Sequence, residues 1–105
     1  MKKLQLVGFI FVGSLLFFSS CKKDTIAPDS MYVPTVADAT ATATLAELQQ
    51  GRTLYVNDCG SCHGLNSPDS YSASNWQGIL ANMAPRAGLS AANTTLVLKY
   101  VTRGK

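Results

Sequence analysis

Cys59-Gly60-Ser61-Cys62-His63 is the segment whose residue types and spacing point most directly to chemistry. It is the C-x-x-C-H pattern of c-type haem attachment. Two thiols separated by two residues reach two vinyl groups on neighbouring edges of a porphyrin. One turn of backbone spans both. The adjacent histidine then lies under the iron and binds it axially. Gly60 and Ser61 are small, so the turn can approach a flat ring. Two other chemistries use such cysteines. A redox-active or structural disulfide usually comes with a βαβ pattern, and none is visible. Zinc needs a fourth ligand, and His63 is the only histidine.

A haem iron held by His63 has a second axial position. With one histidine in the chain, two histidine ligands are excluded. Met83 comes after the motif and precedes Ala84-Pro85, where a turn would aim its thioether at the iron. Met31, Lys99 or an open site are the alternatives, and Met83 is also one more apolar residue on its own helix face. The metal ligands expected are therefore His63 and Met83, with Cys59 and Cys62 carrying the haem c covalently. There is no nucleophile–base pair and no paired carboxylate set, so no catalytic residue is assigned and no enzyme is expected.

The chain has 105 residues, room for one small domain. All of its phenylalanines (Phe9, Phe11, Phe17 and Phe18) lie in the N-terminal segment. The rest has few large apolar side chains, and a domain this small is marginal without a disulfide, a metal or another staple. Something besides side chains is expected to complete the core. The formal charge is +3, but Lys2 and Lys3 supply two of those charges. Residues 44–105 carry five basic and three acidic side chains, which favours an acidic partner face. There is no basic stripe with interleaved aromatics, so nucleic acid is not an expected partner.

Met1-Lys2-Lys3 followed by the apolar run Leu4 to Phe18 reads as a signal peptide over residues 1–20. The run is shorter than the roughly 20 residues a spanning helix needs. Phe18-Ser19-Ser20-Cys21 resembles the lipobox of bacterial lipoproteins, with Phe18 where Leu is usual. The resemblance implies cleavage before Cys21, acylation of Cys21, and a membrane-anchored protein facing the periplasm or the cell surface. Residues 21–43 then read as the lipidated cysteine and a flexible tether. Pro28, Pro34 and the Ala/Thr alternation of 37–44 break any period and offer little to bury.

Residues 44–105 read as all-α, with three helices. Thr44-Leu45-Ala46-Glu47 is a capping box opening a helix that ends near Asn57 or Asp58. Gly51 inside it costs about 1 kcal/mol relative to alanine, which suggests close approach by another element. A second helix is expected over 75–83, capped by Ser74, with Trp76, Ile79, Leu80 and Met83 on one face. Pro85 should end it. A third is expected from Ala91 to about Arg103, capped by Ser90, burying Val97, Tyr100 and Val101.

Residues 45–105 resemble a very short class I-like cytochrome c domain. The resemblance rests on Gly51-x-x-x-Tyr55, the Cys59-to-His63 motif, Met83, and Val97 with Tyr100. The segment between His63 and Met83 is shorter than in typical members. The resemblance implies a first and last helix crossing closely, with Gly51 and Tyr55 against Val97 and Tyr100. It implies that the carbonyl of Pro68 accepts from the ring nitrogen of His63 that faces away from iron. Trp76, Tyr71 and Arg86 are candidate donors to the haem propionates. The function implied is one-electron transfer between redox protein partners of the membrane or periplasm. A haem-based ligand-binding or sensor domain, and an electron-entry subunit of a larger oxidoreductase, are the alternatives.

Overall fold

A computed structural model describes residues 26–105. The expected signal peptide and Cys21 lie outside the described residues. Three helices make the framework: α1 (Leu45–Leu54), α2 (Ala73–Arg86) and α3 (Ala91–Val101). Single 3-10 turns lie at Pro28–Ser30, Val36–Asp38 and Pro68–Ser70. The described residues contain no strand, only isolated bridges between Ile26 and Leu65 and between Thr40 and Ala43. The fold is all-α. No helix among the described residues is long and apolar enough to cross a membrane.

The start of α1 is set by its cap. Thr44 Oγ1 accepts the Glu47 N–H at 3.2 Å, and Glu47 Oε2 accepts the Thr44 N–H at 2.9 Å. The other Glu47 oxygen accepts from Lys99 Nζ at 2.7 Å, tying α1 to α3. Lys99 first, and the Thr44 amide second, hold the Glu47 carboxyl below its ordinary range. Past Leu54 the helix does not stop. It widens into a π-type turn over Tyr55–Cys59, a feature that often marks functional sites. The wider turn re-aims the chain beyond it, and Cys59 arrives on the inner side.

The helix α2 is longer than its sequence signals. It begins at Ala73, where Ser72, not Ser74, accepts from the Asn75 N–H at 3.2 Å. Pro85 lies inside its last turn and does not end it. The reason is solvent. Ala81 and Pro85 are both exposed, so the Ala81 carbonyl that loses its helical donor faces water. The stop comes at Gly88, with φ +70°. The Leu89 N–H reaches the Ala84 carbonyl at 3.0 Å and the Gly88 N–H the Pro85 carbonyl at 3.2 Å, the Schellman arrangement. The third helix matches its reading closely, with Ser90 Oγ accepting the Asn93 N–H at 3.1 Å.

Helices α1 and α3 cross in contact at Gly51. A Cβ there would overlap the Leu96 carbonyl oxygen and stand 2.8 Å from its carbon and 3.0 Å from Tyr100 Cβ. Tyr55 lies beside Tyr100, ring centroids 5.9 Å apart. Val97, Tyr100 and Val101 are fully buried. This places close backbone packing where the uneconomical glycine suggested it.

Residues 26–39 differ from the flexible tether expected there. They form a strap against the helices. Met31 is 2% exposed and belongs to the core. Arg52 on α1 donates to the Tyr32 carbonyl at 3.0 Å, the Met31 carbonyl at 3.2 Å and the Pro28 carbonyl at 3.5 Å. Tyr100 Oη donates to the Tyr32 carbonyl at 2.7 Å. The Arg103 guanidinium lies 3.6 Å over the Tyr32 ring. Tyr32 Oη in turn donates to Asp38 at 2.7 Å. The Thr35 amide first, and that phenol second, hold the Asp38 carboxyl below its usual range.

Arg52→Ala should therefore loosen the strap before anything else. Hydrogen bonds from a charged donor contribute about 1.5–3 kcal/mol, so a loss of about 2 kcal/mol in urea unfolding is expected. Amide exchange should speed up at Met31 and Tyr32 more than in α2. Uniform protection across both regions would mean that Arg52 does not hold the strap down.

Candidate functional site

The widened turn, the motif loop and α2 enclose an open-mouthed cavity. Cys59, Cys62 and His63 line one side, and Trp76, Ile79, Leu80 and Met83 the other. Its volume is about 260 Å³. Small-molecule and cofactor sites span about 300–1,000 Å³ and are mostly apolar with a few placed polar groups. The cavity falls just below that range, and it is the residue types of its mostly apolar lining that fit a haem. Two thiols, an imidazole and a thioether face one apolar space, which is the donor chemistry a c-type haem requires.

The loop is held tightly enough to present these groups. A Cβ on Gly60 would stand 2.5 Å from the Val56 carbonyl oxygen, so the chain there admits no side chain. Ser61 Oγ donates to the Asp58 carbonyl at 2.9 Å, closing the turn between the cysteines. Both cysteines are free thiols, Cys59 half-buried and Cys62 exposed. Burial, then Asp58 and Cys62, raise the Cys59 thiol above its ordinary range.

His63 Nδ1 lies 2.9 Å from the Gly64 carbonyl oxygen. A carbonyl only accepts, so Nδ1 carries the proton and Nε2 keeps its lone pair for a metal. The carbonyl is not that of Pro68, the acceptor expected from the sequence. The Pro68 carbonyl is taken by Trp76 Nε1 at 2.7 Å and Lys105 Nζ at 2.6 Å. Trp76 is buried between Tyr55 and Tyr71, edge-on to both. Its only donor is thereby spent, and it has nothing to offer a propionate. Arg86 is exposed at the cavity wall and retains that capacity.

Of the candidates for the second axial position, Met83 alone lines the cavity. It sits on α2 itself rather than on a turn, half-buried on the face shared with Trp76, Ile79 and Leu80. The core role and the ligand role thus fall on the same helical face. Met31 is packed in the core by the strap, and Lys99 is bonded to Glu47. Among the described residues no three His, Cys, Asp or Glu side chains are grouped so as to hold a metal ion by themselves.

Leu65 and Tyr55 are wall residues that sequence reasoning did not assign to the site. Leu65 is 3% exposed. Its signal was being the single large apolar side chain in an otherwise polar loop. Tyr55 Oη donates to the Asn66 carbonyl at 2.7 Å, clamping the loop to the helix that precedes it. Burial pushes the Tyr55 phenol well above its ordinary range. Tyr100 is pushed up to about 12, by burial first, against the pull of Arg103 and Arg52.

Both phenols bind their protons more tightly in the folded state than in the unfolded one. Their stabilisation is complete below the ordinary value of 10.0 and lost as pH rises towards 12. Urea midpoints should accordingly fall between pH 10 and 12, and Tyr100→Phe should flatten part of that slope. An unchanged slope in the variant would detach Tyr100 from the alkaline transition.

No protein-family model, curated protein or solved structure matches the chain.

Proposed function

We propose that this chain is an exported, lipid-anchored monohaem c-type cytochrome that carries single electrons between redox proteins of the membrane or periplasm. The observation that carries the reading is the convergence of Cys59, Cys62, His63 and Met83 on one apolar cavity. Cys59 and Cys62 would hold a haem c through thioethers, and His63 Nε2 with the Met83 sulfur would hold its iron. When bound, the haem supplies a one-electron iron couple, and methionine ligation raises its potential. The chain's residues do the rest. The Gly64 carbonyl fixes the His63 tautomer and ring plane. Leu65, Trp76, Ile79 and Leu80 line the cavity and would keep water from a bound ring. If His63 and Met83 both held the iron, no site would be left for a substrate, which favours a carrier over a catalyst. Electron-transfer contacts are small, below about 1,200 Å², and the cavity mouth provides such a patch. A covalent haem would also supply the core that the sparse apolar residues leave short.

The test is the visible absorption spectrum of protein matured with a cytochrome c assembly system. The reduced form should give the sharp α-band of low-spin c-haem, and the oxidised form a weak far-red band of sulfur–iron ligation. Absence of covalent haem, while a control cytochrome matures, would leave Cys59 and Cys62 as a redox or structural pair.

A further inference from the structure

The chain enters the described fold beside the haem-attachment loop. The Ile26 N–H donates to the Leu65 carbonyl at 3.0 Å, close after His63. Ile26, Ala27 and Pro28 share a groove with Gly60, His63 and Gly64. From there the strap is fixed in turn by Arg52 on the carbonyls of Pro28, Met31 and Tyr32, by buried Met31, and by Tyr100. Thr40 and Ala43 then close a turn into α1 through mutual backbone bonds of 2.8 and 3.4 Å. The strap leaves little slack between Ile26 and Thr44.

We propose that this docked strap holds the Cys59–His63 loop close against the membrane that carries the Cys21 lipid. The partner it fits is accordingly a membrane-embedded redox protein with its redox centre near the bilayer surface. The inference rests on the anchored-cytochrome reading above. Lys22, Lys23, Asp24 and Thr25 are all that separate Cys21 from Ile26. Five Cα steps span at most about 18 Å even when fully extended. Roughly 5–8 Å of that reach lies within the headgroup layer of one leaflet. Had residues 21–43 been slack, the same anchor would have allowed excursions of about 80 Å at full extension. The strap removes that freedom, and it does so at the loop that bears the cysteines rather than at a remote helix. A centre held at the surface meets membrane-embedded partners repeatedly and without diffusion through the aqueous phase. Lys22 and Lys23, next to the lipid, add attraction to anionic headgroups.

The experiment places the lipidated full chain on a supported bilayer of phosphatidylethanolamine and phosphatidylglycerol and measures the layer by neutron reflectometry. A protein layer beginning within about 18 Å of the headgroups is expected. Inserting about twenty Gly/Ser residues between Thr25 and Ile26 should move and broaden it outward by tens of ångströms. A native layer standing beyond that reach, or one that the insertion leaves unmoved, overturns the proposal. So does mass spectrometry finding no acyl chain on Cys21. A close layer without the covalent-haem spectrum supports the placement of the loop while sinking the electron-carrier reading, so the two failures are separable.

Discussion

Gly51→Ala should destabilise the domain by at least about 3 kcal/mol, although alanine is the better helix former by about 1 kcal/mol. The two tendencies oppose each other, and geometry decides between them. A Cβ at Gly51 would overlap the Leu96 carbonyl oxygen and crowd its carbon at 2.8 Å. Those are backbone atoms in the middle of α3, which cannot rotate aside as a side-chain tip can. Relief requires the two helices to part, and parting them uncovers Val97 and Tyr100, both fully buried. Small domains have total stabilities near the low end of about 5–15 kcal/mol, so the loss is a large share of the whole. Gly78→Ala is the internal control. It lies on the exposed side of α2, and a Cβ there meets nothing within 4 Å. It should stabilise by about 0.5–1 kcal/mol. Urea unfolding of both variants is the measurement, and opposite signs are the expected result. A neutral Gly51→Ala would mean that α1 and α3 do not approach as closely as the fold requires.

That crossing was legible in the sequence because a mid-helix glycine is uneconomical unless something lies against it. The capping box at Thr44 and the apolar spacing of Trp76, Ile79, Leu80 and Met83 were legible for the same kind of reason: each is a side-chain pattern. The strap was not. Its attachments are mostly main-chain carbonyls of Pro28, Met31 and Tyr32, and every residue has a carbonyl. Only Met31 and the Tyr32 ring contribute side-chain anchors, too few to make a period. Arg52 and Arg103 were visible as charges, but nothing local tells a solvated arginine from one that ties down a distant segment. The π-type turn at Tyr55–Cys59 has no local marker either, since its sequence suits an ordinary helix. Pro85 misled in the opposite direction. Its effect on the preceding residue is a preference, and in the last turn of α2 the residue whose carbonyl loses its helical donor, Ala81, is exposed. At the candidate site, the cysteines, His63 and Met83 were singled out by type and spacing, and the structure sets all four along one cavity. The Gly64 acceptor was not, because a carbonyl carries no signature in the sequence.

Met83→Ala should convert the matured protein from a closed carrier into an open haem site. The far-red band should vanish, and carbon monoxide should bind the reduced form rapidly at neutral pH. The potential should fall by on the order of 0.1–0.3 V, within the span of about 0.8 V that axial ligands command. The companion variant is Met31→Leu. Met31 is the other thioether among the described residues, but it is 2% exposed in the core and forms no part of the cavity wall. Exchanging methionine for leucine in a core usually costs under about 1.5 kcal/mol, so the fold should persist and the spectrum stay unchanged. Stability and ligation are thereby separated, because Met83 is only half-buried and its truncation removes modest apolar contact. Rapid carbon monoxide binding by the unaltered protein would place Met83 off the iron and return it to the Trp76, Ile79 and Leu80 face as a packing residue. The role would then shift to ligand binding or sensing at the same cavity. Retention of the far-red band in Met83→Ala, with its loss in Met31→Leu, would require the strap to deliver the ligand. That outcome would also break the account of Met31 as a core anchor, since one sulfur cannot both fill the packing beneath the strap and reach a cavity it does not line.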